Sequence, residues 1–279
     1  MIDAHHHLWE RTRFSYPWLA GHPVLDRDFT LEEYERTSAA CGIEHSVFVQ
    51  AETEPRQGLD ESRWALSLAA SGSCIAGVVA WAPVESPSLP AYLDELGTPP
   101  QLKGIRRLIQ QEPDPNFCAR SEFIAGVREV ARRHLAVDIC VYHYQLPAVI
   151  ELVRAVPQAR FVLDHLGKPD IAAGRMQPWA DDLRVLAACP NVVCKLSGVA
   201  TEADHRRWVA ADLLPYIHVA IEAFGYERLM FGSDWPVSLQ AISYQRWVQL
   251  VEQAIAAGGP TARAQVFAGT AVATYGLEV

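Results

Sequence analysis

The sequence has no long hydrophobic run and no excess of positive charge. No apolar stretch approaches the roughly 20 residues that a membrane-spanning helix requires. The N-terminus has no basic segment followed by an apolar one, so no secretory signal is expected. The formal net charge of -9 disfavours nucleic acid and anionic membrane surfaces, because both bind a basic protein face. We therefore expect no nucleic-acid partner and no membrane partner.

The sequence also lacks paired cysteines. Its six cysteines are scattered, and no two of them form a Cys-x-x-Cys pair. Cys140 and Cys194 lie inside apolar runs that resemble strands, where a thiol is typical of a small buried hydrophobic side chain. This pattern predicts free thiols in a reducing compartment, and we expect a cytoplasmic protein.

Short apolar runs alternate with helical patterns along the whole chain. Eight runs are rich in Val, Ile and Phe, which is typical of parallel strands buried on both faces. These runs are residues 2–8, 46–51, 75–83, 102–109, 137–143, 160–166, 192–197 and 229–234. The first helical pattern starts with a capping box at Thr30 and stops before Gly42. The other helical patterns are residues 59–70, 86–96, 121–134, 147–156, 176–188, 205–224 and 243–257.

This eightfold alternation predicts a single (β/α)8 barrel of the TIM type over residues 1–279. The main alternative is a doubly wound open sheet, which would carry a glycine-rich dinucleotide motif near its first strand. Here the first strand leads into histidines instead. The loop of residues 10–29 is long and aromatic, with Phe14, Tyr16 and Trp18. Since loops after barrel strands lie over the active-site face, we expect this loop to cover a pocket.

Polar side chains stand at the ends of several predicted strands, where barrel enzymes build their active sites. His5 and His7 are two residues apart and share one face of the first strand, with Asp3 one pleat below them. His165 ends the sixth strand and Asp234 ends the eighth. Histidines and an acid from separate strands predict a site for one divalent metal ion or a metal-free hydrolytic site. The structural alternatives are a core histidine at position 165 and a helix cap at position 234.

Six further residues are candidates for contact with a substrate: Arg106, Lys195, Gln50, His143, Trp18 and Trp235. The first three either bind substrate oxygens or neutralise acids around the barrel mouth. At the end of the fifth strand, Tyr142 could take the place of its neighbour His143. The two tryptophans either belong to the core or form an aromatic wall on which a sugar ring stacks.

Four motifs together resemble the amidohydrolase superfamily. They are Asp3-x-His5-x-His7-Leu8-Trp9, Leu163-Asp164-His165-Leu166-Gly167-Lys168-Pro169, Lys195-Leu196-Ser197-Gly198 and Phe231-Gly232-Ser233-Asp234-Trp235-Pro236. The stretch of residues 267–277 resembles the closing helix of the amidohydrolase-2 branch, which contains sugar lactonases and dicarboxylate lactonases. The likeness spans the whole chain, and the combination of motifs makes it specific.

The resemblance implies an enzyme that opens a sugar-derived lactone, an aldonolactone such as L-fuconolactone, by attack of an activated water. Asp234 would activate the water, while His5, His7 and His165 would stabilise the oxyanion directly or through a metal ion. One divalent ion, zinc first of all, is expected at His5, His7 and Asp234 with His165 nearby. Since some members of the branch work without metal, catalysis need not depend on it. Lys103 lies too early in its strand to bridge two metals, so two are not expected.

Two other functions fit the same residues. The branch also contains metal-dependent decarboxylases of carboxylated aromatic acids, which need a firmly bound zinc and a carboxylate-binding arginine near it. A barrel that only binds a ligand is the non-enzymatic alternative, and the intact set of histidines with Asp234 argues against it. A neutral sugar lactone is the favoured substrate, but the Arg106-Arg107 pair keeps a carboxylated lactone open. The sequence predicts neither the stereochemistry of the sugar nor the oligomeric state.

Overall fold

The computed structural model describes all 279 residues, and its strands form one barrel. Eight parallel strands follow one another around the sheet in sequence order. They are β1 (Ile2–His6), β2 (His45–Val49), β3 (Ile75–Trp81), β4 (Leu102–Arg106), β5 (Ala136–Ile139), β6 (Phe161–Leu163), β7 (Val192–Leu196) and β8 (Leu229–Phe231). The barrel closes after β8, where Asp234 N donates to His5 O at 2.8 Å and His7 N donates to Trp235 O at 2.7 Å. The predicted (β/α)8 barrel is confirmed.

A helix follows each strand. The helices are α1 (Leu31–Ala39), α2 (Gly58–Ala70), α3 (Leu89–Leu96), α4 (Ser121–Arg132), α5 (Leu146–Ala155), α6 (Trp179–Ala187), α7 (Ala210–Phe224), α8 (Tyr244–Ile255), α9 (Gly259–Ala264) and α10 (Thr270–Tyr275), with a π-helical turn (Gln265–Gly269) before α10. The Thr30 side chain caps α1 by accepting the Glu33 N–H. No helix combines the length and the apolar character that crossing a membrane requires.

The strands end a few residues earlier than the sequence pattern predicts. β6 stops at Leu163 instead of residue 166, and β8 stops at Phe231 instead of residue 234. Just beyond them the backbone becomes left-handed, with φ of 54° at His165 and 55° at Asp234. A residue with that φ cannot continue a strand, so the polar groups stand on turns at the strand ends. Helix α7 also starts later than predicted, at Ala210 instead of residue 205, because a turn precedes it.

Two hydrophobic layers hold the barrel together. The larger layer packs the strands against the surrounding helices. The smaller layer contains Val47, Val162 and Met230 from the strands together with Tyr275 of α10. Near the strand starts, Lys103 Nζ donates to Gly276 O at 2.8 Å, so the C-terminal segment covers this end of the barrel. The other end, where the strands stop, is left to the polar residues.

The first strand is irregular, and this changes the direction of Asp3. The register of β1 against β2 shifts between residues 3 and 6. The Asp3 carboxylate accepts hydrogen bonds from Tyr34 of α1 at 3.0 Å and from Tyr244 of α8 at 2.9 Å, outside the barrel. It also accepts the Ser233 N–H at 2.8 Å. The prediction that Asp3 shares a face with the two histidines is wrong, and Asp3 instead ties the turn after β8 to β1.

Candidate active site

The four residues of the predicted centre meet at the carboxyl end of the barrel. His5 and His7 lie on and just after β1, His165 follows β6, and Asp234 follows β8. The Nε2 atoms of His5 and His7 are 3.1 Å apart. Asp234 Oδ1 lies 3.4 Å from His7 Nε2 and 3.7 Å from His5 Nε2. His165 Nε2 is 3.9 Å from the same oxygen. All four side chains are buried, so three distant parts of the chain build one compact centre.

Two glycines of the sequence motifs make room for this centre. A Cβ at Gly198, which follows β7, would lie 2.6 Å from His165 Nδ1 and 3.2 Å from Asp234 Oδ2. A Cβ at Gly232, which follows β8, would lie 2.7 Å from His5 Cβ. Gly198 also has a φ of 57°, which favours glycine. The glycines of both motifs are therefore explained by the close packing of the histidines.

Hydrogen bonds behind the rings orient two of the imidazoles. His7 Nδ1 lies 2.7 Å from Val49 O, to which it donates, and this leaves the lone pair of His7 Nε2 facing the centre. His165 Nδ1 lies 2.8 Å from the Ser197 hydroxyl. Each ring thus has one nitrogen fixed by the protein and presents Nε2 to the centre, as ligating histidines commonly do.

A row of buried charges lies beneath His5. Asp164 Oδ1 is 3.2 Å from His5 Nδ1, and Asp164 Oδ2 accepts from Arg106 Nη1 at 3.1 Å. Lys195 Nζ lies 3.2 Å from His5 Nδ1 and 3.1 Å from Asp164 Oδ1, and it also pairs with Asp138 of β5. Burial would lower the pKa of Lys195, but the two carboxylates outweigh burial and raise that pKa. The ammonium therefore stays charged and is neutralised inside the barrel.

The donor atoms of His5, His7 and Asp234 fit one divalent metal ion. They form one of two groups of potential ligand atoms that lie close together. The circle through three atoms at the separations given above has a radius of about 2.0 Å, and zinc bonds to nitrogen and oxygen are ~2.0–2.2 Å long. A single ion can thus contact all three donors.

The second group of donors consists of His5, Asp164 and His165. Here the Lys195 ammonium already lies 3.1 Å from Asp164 Oδ1. A second positive ion at this place would be repelled by that charge, so the geometry favours the first group.

Burial and proximity set the protonation of the centre. Burial lowers the pKa of His165 to about 4 and holds the pKa of His5 well below its ordinary value. Burial alone would raise the pKa of Asp234, but the nearby His165, His7 and His5 outweigh it and lower that pKa. Near neutral pH, His5 and His165 are neutral and the carboxylate is ionised. This is the protonation state that metal binding and proton abstraction from water both require.

A cavity with about 580 Å³ of empty space adjoins the centre. His7, His165 and Asp234 line it, as do two of the predicted substrate contacts, Arg106 and Trp18. The remaining lining residues are Ala51, Glu52, Leu108, Gln110, Gln111, Cys140, Lys168 and Val237. The cavity is thus apolar on some walls and rich in hydrogen-bonding groups on others, which is typical of small-molecule sites.

Two of the predicted substrate contacts, Lys195 and Gln50, are fully buried and do not line the cavity. Lys195 belongs to the row of charges beneath His5. The Gln50 side chain bonds to Glu52, donating from Nε2 to Oε2 at 2.9 Å. The structure places neither side chain at the cavity: Lys195 neutralises Asp138 and Asp164, which is the alternative to substrate contact, and Gln50 supports Glu52, which lines the cavity.

The other two, Trp235 and His143, also lie elsewhere. Trp235 is buried and packs against Phe29 and Tyr34, on the outside of the barrel. Since Asp234 points inward, its neighbour points outward. β5 stops at residue 139, and the turn that follows carries His143 away, so that its Nδ1 lies 3.2 Å from Lys168 O. Neither they nor Tyr142, the alternative at that strand end, line the cavity.

The first loop covers the site with only one of its aromatic residues. Phe14 and Tyr16 are buried in the hydrophobic core beneath the loop. Trp18 is 37% exposed and lines the cavity, and its indole Nε1 donates to Ala51 O at 2.9 Å. The expectation that this loop contributes to the pocket holds for Trp18 alone.

Sequence reasoning gave no role to three residues that the structure makes prominent. Lys168 follows β6 and lines the cavity, with its ammonium 3.8 Å from Glu202 Oε1. Glu52 follows β2 and lines the same cavity. Asp138 is the buried partner of Lys195. Asp138 left a signal, because an acid inside the apolar run of residues 137–143 requires a buried counter-charge.

Known proteins share this architecture over nearly the full length of the chain. An L-fucono-1,5-lactonase from Burkholderia multivorans is 38% identical, with 99% of this chain and 96% of that protein covered. An L-fucono-1,5-lactonase from Burkholderia ambifaria is 36% identical with the same coverage. The crystal structure of an amidohydrolase from Burkholderia multivorans with bound zinc has a TM-score of 0.90 and 38% identity, covering 99% of each chain. The model of the amidohydrolase family matches residues 2–277. The chain therefore belongs to the amidohydrolase family.

Proposed function

We propose that this protein hydrolyses a neutral sugar lactone of the L-fucono-1,5-lactone type to the open-chain acid. The observation that carries the proposal is the convergence of the His5 and His7 Nε2 atoms on the Asp234 carboxylate, where His7 and Asp234 line the wall of a cavity. The two lactonases that are 36% and 38% identical to the chain support the choice of substrate. Such a reaction belongs to carbohydrate metabolism, since aldonolactones are oxidised sugars.

Asp234 is placed to move the proton in this reaction. Its Oδ1 faces His5 and His7, while Oδ2 is free to accept a proton from the attacking water. The water oxygen then bonds to the lactone carbonyl carbon, the ring carbon–oxygen bond breaks, and Asp234 returns the proton to the leaving alkoxide. His165 lines the cavity, and when the Ser197 hydroxyl donates to Nδ1 its Nε2 carries the proton and can donate to the developing oxyanion.

His5, His7 and Asp234 are the residues that would hold a divalent ion, and we propose zinc. When bound, such an ion supplies Lewis-acid polarisation of the carbonyl group. The zinc-bound amidohydrolase of 38% identity supports this assignment. Catalysis need not depend wholly on the ion, since Asp234 and His165 line the cavity themselves. Elemental analysis should find one equivalent of tightly bound metal per chain, and two equivalents would contradict the proposal.

The pairing of charges at the cavity favours a neutral substrate. Arg106 already donates to Asp164 and, from Nη2, to Gln50 O at 2.6 Å. Its neighbour Arg107 turns to Glu85 and Glu112 instead of the cavity. Both arginines thus already face protein carboxylates, and this disfavours the substrate carboxylate that a decarboxylase or a carboxylated lactonase would bind.

Proton release by the purified protein tests the proposal. The substrates are a panel of neutral aldonolactones including L-fucono-1,5-lactone, each with and without a chelator. We expect hydrolysis of a neutral lactone. Carbon dioxide release from a carboxylated aromatic acid would replace the lactonase with a decarboxylase, and binding without turnover would indicate a silent barrel. A cytoplasmic location is proposed on the same footing, supported by six cysteines that are all free thiols.

A further inference from the structure

Glu52 lies in an unusual backbone conformation at the edge of the cavity. It follows β2 and has a φ of 59°. A glutamate at that φ is strained, since this region favours glycine and, less strongly, asparagine and aspartate. Strain of this kind persists only where surrounding groups hold it, and it concentrates at ligand sites. The conformation directs attention to what the Glu52 side chain does.

Gln50 holds Glu52 in place. The Gln50 Oε1 atom accepts the Glu52 N–H at 2.5 Å, and Gln50 Nε2 donates to Glu52 Oε2 at 2.9 Å. Gln50 itself is fully buried, and its main-chain carbonyl oxygen accepts a hydrogen bond from Arg106. Both the backbone and one carboxylate oxygen of Glu52 are therefore fixed by a side chain that cannot move away.

The second carboxylate oxygen has no partner in the protein. Glu52 lines the cavity, yet its Oε1 accepts no hydrogen bond and no lysine or arginine forms an ion pair with it. By contrast, Arg106 and Lys168, the cations that line the same cavity, each face a carboxylate, from Asp164 and Glu202. Glu52 thus offers the cavity a negative charge and a free acceptor.

We propose that Glu52 binds hydroxyl groups of the lactone and selects polyhydroxylated, uncharged substrates. A carboxylate only accepts hydrogen bonds, and a sugar lactone carries several hydroxyl donors. A hydrogen bond to a charged acceptor is stronger than one between neutral groups. A lactone without hydroxyls leaves the acceptor unpaired, and a carboxylated lactone is repelled by it. This inference rests on the proposed lactonase function and adds the chemical class that the site selects.

Two lactones and one variant test the proposal. L-fucono-1,5-lactone carries ring hydroxyls, whereas δ-valerolactone has the same ring without them. Glu52→Gln retains the size and the hydrogen bonds to Gln50 but removes the charge. We expect kcat/KM for the sugar lactone to fall at least ~10-fold and that for δ-valerolactone to change less than ~2-fold. Where δ-valerolactone is not turned over, its inhibition constant against the sugar lactone is the readout. Glu151→Gln, on the exposed surface of α5, is the matched control.

Each outcome decides between a hydroxyl-binding role and another one. A selective loss with the sugar lactone supports the proposal. Equal losses with both lactones would mean that Glu52 acts on the fold or the chemistry, and no loss with either would mean that it does not contact the substrate; both overturn it. Wild-type protein that acts on neither lactone would contradict the proposed function itself.

Discussion

At the residue scale, Asp234 combines a left-handed backbone with the catalytic role proposed for its carboxylate. Its φ of 55° is one that aspartate and asparagine tolerate better than most residues. Its N–H is bonded to His5 O, so the turn is fixed to the first strand. The carboxylate is thereby held among three imidazoles without any flexible segment, which is the preorganisation that a catalytic base needs.

Replacing Asp234 by asparagine separates these two contributions. Asparagine keeps the shape and tolerates the backbone angle, so Asp234→Asn should fold like the wild type. It cannot accept the proton of water, and lactone hydrolysis should be at least ~100-fold slower. The measurements are kcat with L-fucono-1,5-lactone and the circular dichroism spectrum. Turnover close to that of the wild type would remove Asp234 from the mechanism.

The sequence could predict a site residue where its position at a strand end was enough to fix the direction of its side chain. The histidines and Asp234 stood at strand ends within distinctive motifs, so their meeting followed from the barrel. The directions of Asp3, Trp235 and His143 did not follow. A register shift in β1 and the turns at the strand ends reverse side-chain directions there, and no periodicity in the sequence records such a change.

At the element scale, Glu61 of α2 joins the first loop to the end of β2. Its Oε1 accepts from the Tyr16 hydroxyl at 3.3 Å and from Ala51 N at 3.1 Å. Trp18 donates to the carbonyl of the same Ala51. The wall of the cavity formed by Trp18 is therefore supported from below by a buried carboxyl group, whose Oε2 has no partner.

This carboxyl group makes stability depend on pH. Burial raises the pKa of Glu61 from its ordinary 4.5 to about 8. The folded protein therefore keeps a proton that the unfolded chain releases near pH 4.5, and the stability this contributes is lost as pH rises towards 8. The free energy of unfolding of Glu61→Gln should consequently fall less than that of the wild type between about pH 5 and about pH 8. Urea denaturation at both pH values measures this.

The control for the Glu61 experiment is Glu151→Gln on exposed α5, which should follow the wild-type pH profile. If Glu61→Gln loses as much stability with rising pH as the wild type, the carboxyl group is already ionised in the folded state.

The eight strand–helix units around this feature were predictable, since each carries its own hydrophobic pattern. The bond between a loop tyrosine and a helix carboxyl was not, because it joins elements that only the closed barrel brings together.

At the scale of the whole molecule, Lys195 connects the charged interior of the barrel. It is fully buried in β7 and pairs with Asp138 of β5 and with Asp164, which follows β6. Lys195→Met would leave Asp138 without its cation in a dry interior, and Asp164 with Arg106 alone. We expect a loss of ~3 kcal/mol or more in the free energy of unfolding. Adding Asp138→Asn to that variant should restore part of the loss, because the carboxylate that lost its only cation is then replaced by a neutral amide.

Chemical denaturation of the single and double variants checks this prediction. A loss below about 1 kcal/mol in Lys195→Met would place the pair among weakly contributing ion pairs of the surface type. Failure of the second substitution to recover any stability would show that the methionine is tolerated poorly for its shape, and that charge is not the cause.

The proposed metal ligands come from opposite ends of the chain, so a bound ion would link those ends. Every neighbouring pair of strands from β1 to β8 is joined by a parallel ladder, whereas β8 and β1 meet through the single bridge of His6 and Trp235. An ion held by His5, His7 and Asp234 would stabilise this contact between β8 and β1. At a free concentration 100 times its dissociation constant, it would add about 2.7 kcal/mol to the free energy of unfolding.

Amide hydrogen exchange would measure this stabilisation by the ion, and the measurement needs no substrate. Removal of the ion with a chelator should speed amide exchange in β1 and β8 first, while β4 and β5, on the far side of the ring, respond least. An equal increase in amide exchange rate in all eight strands would argue against separate opening of the contact between β8 and β1. Because the ligands are brought together only when the first strand meets the last, a chain still being synthesised cannot hold the ion with all three ligands. Metal binding would then occur only after the barrel has closed, and the residues proposed for catalysis would also stabilise the contact between β1 and β8.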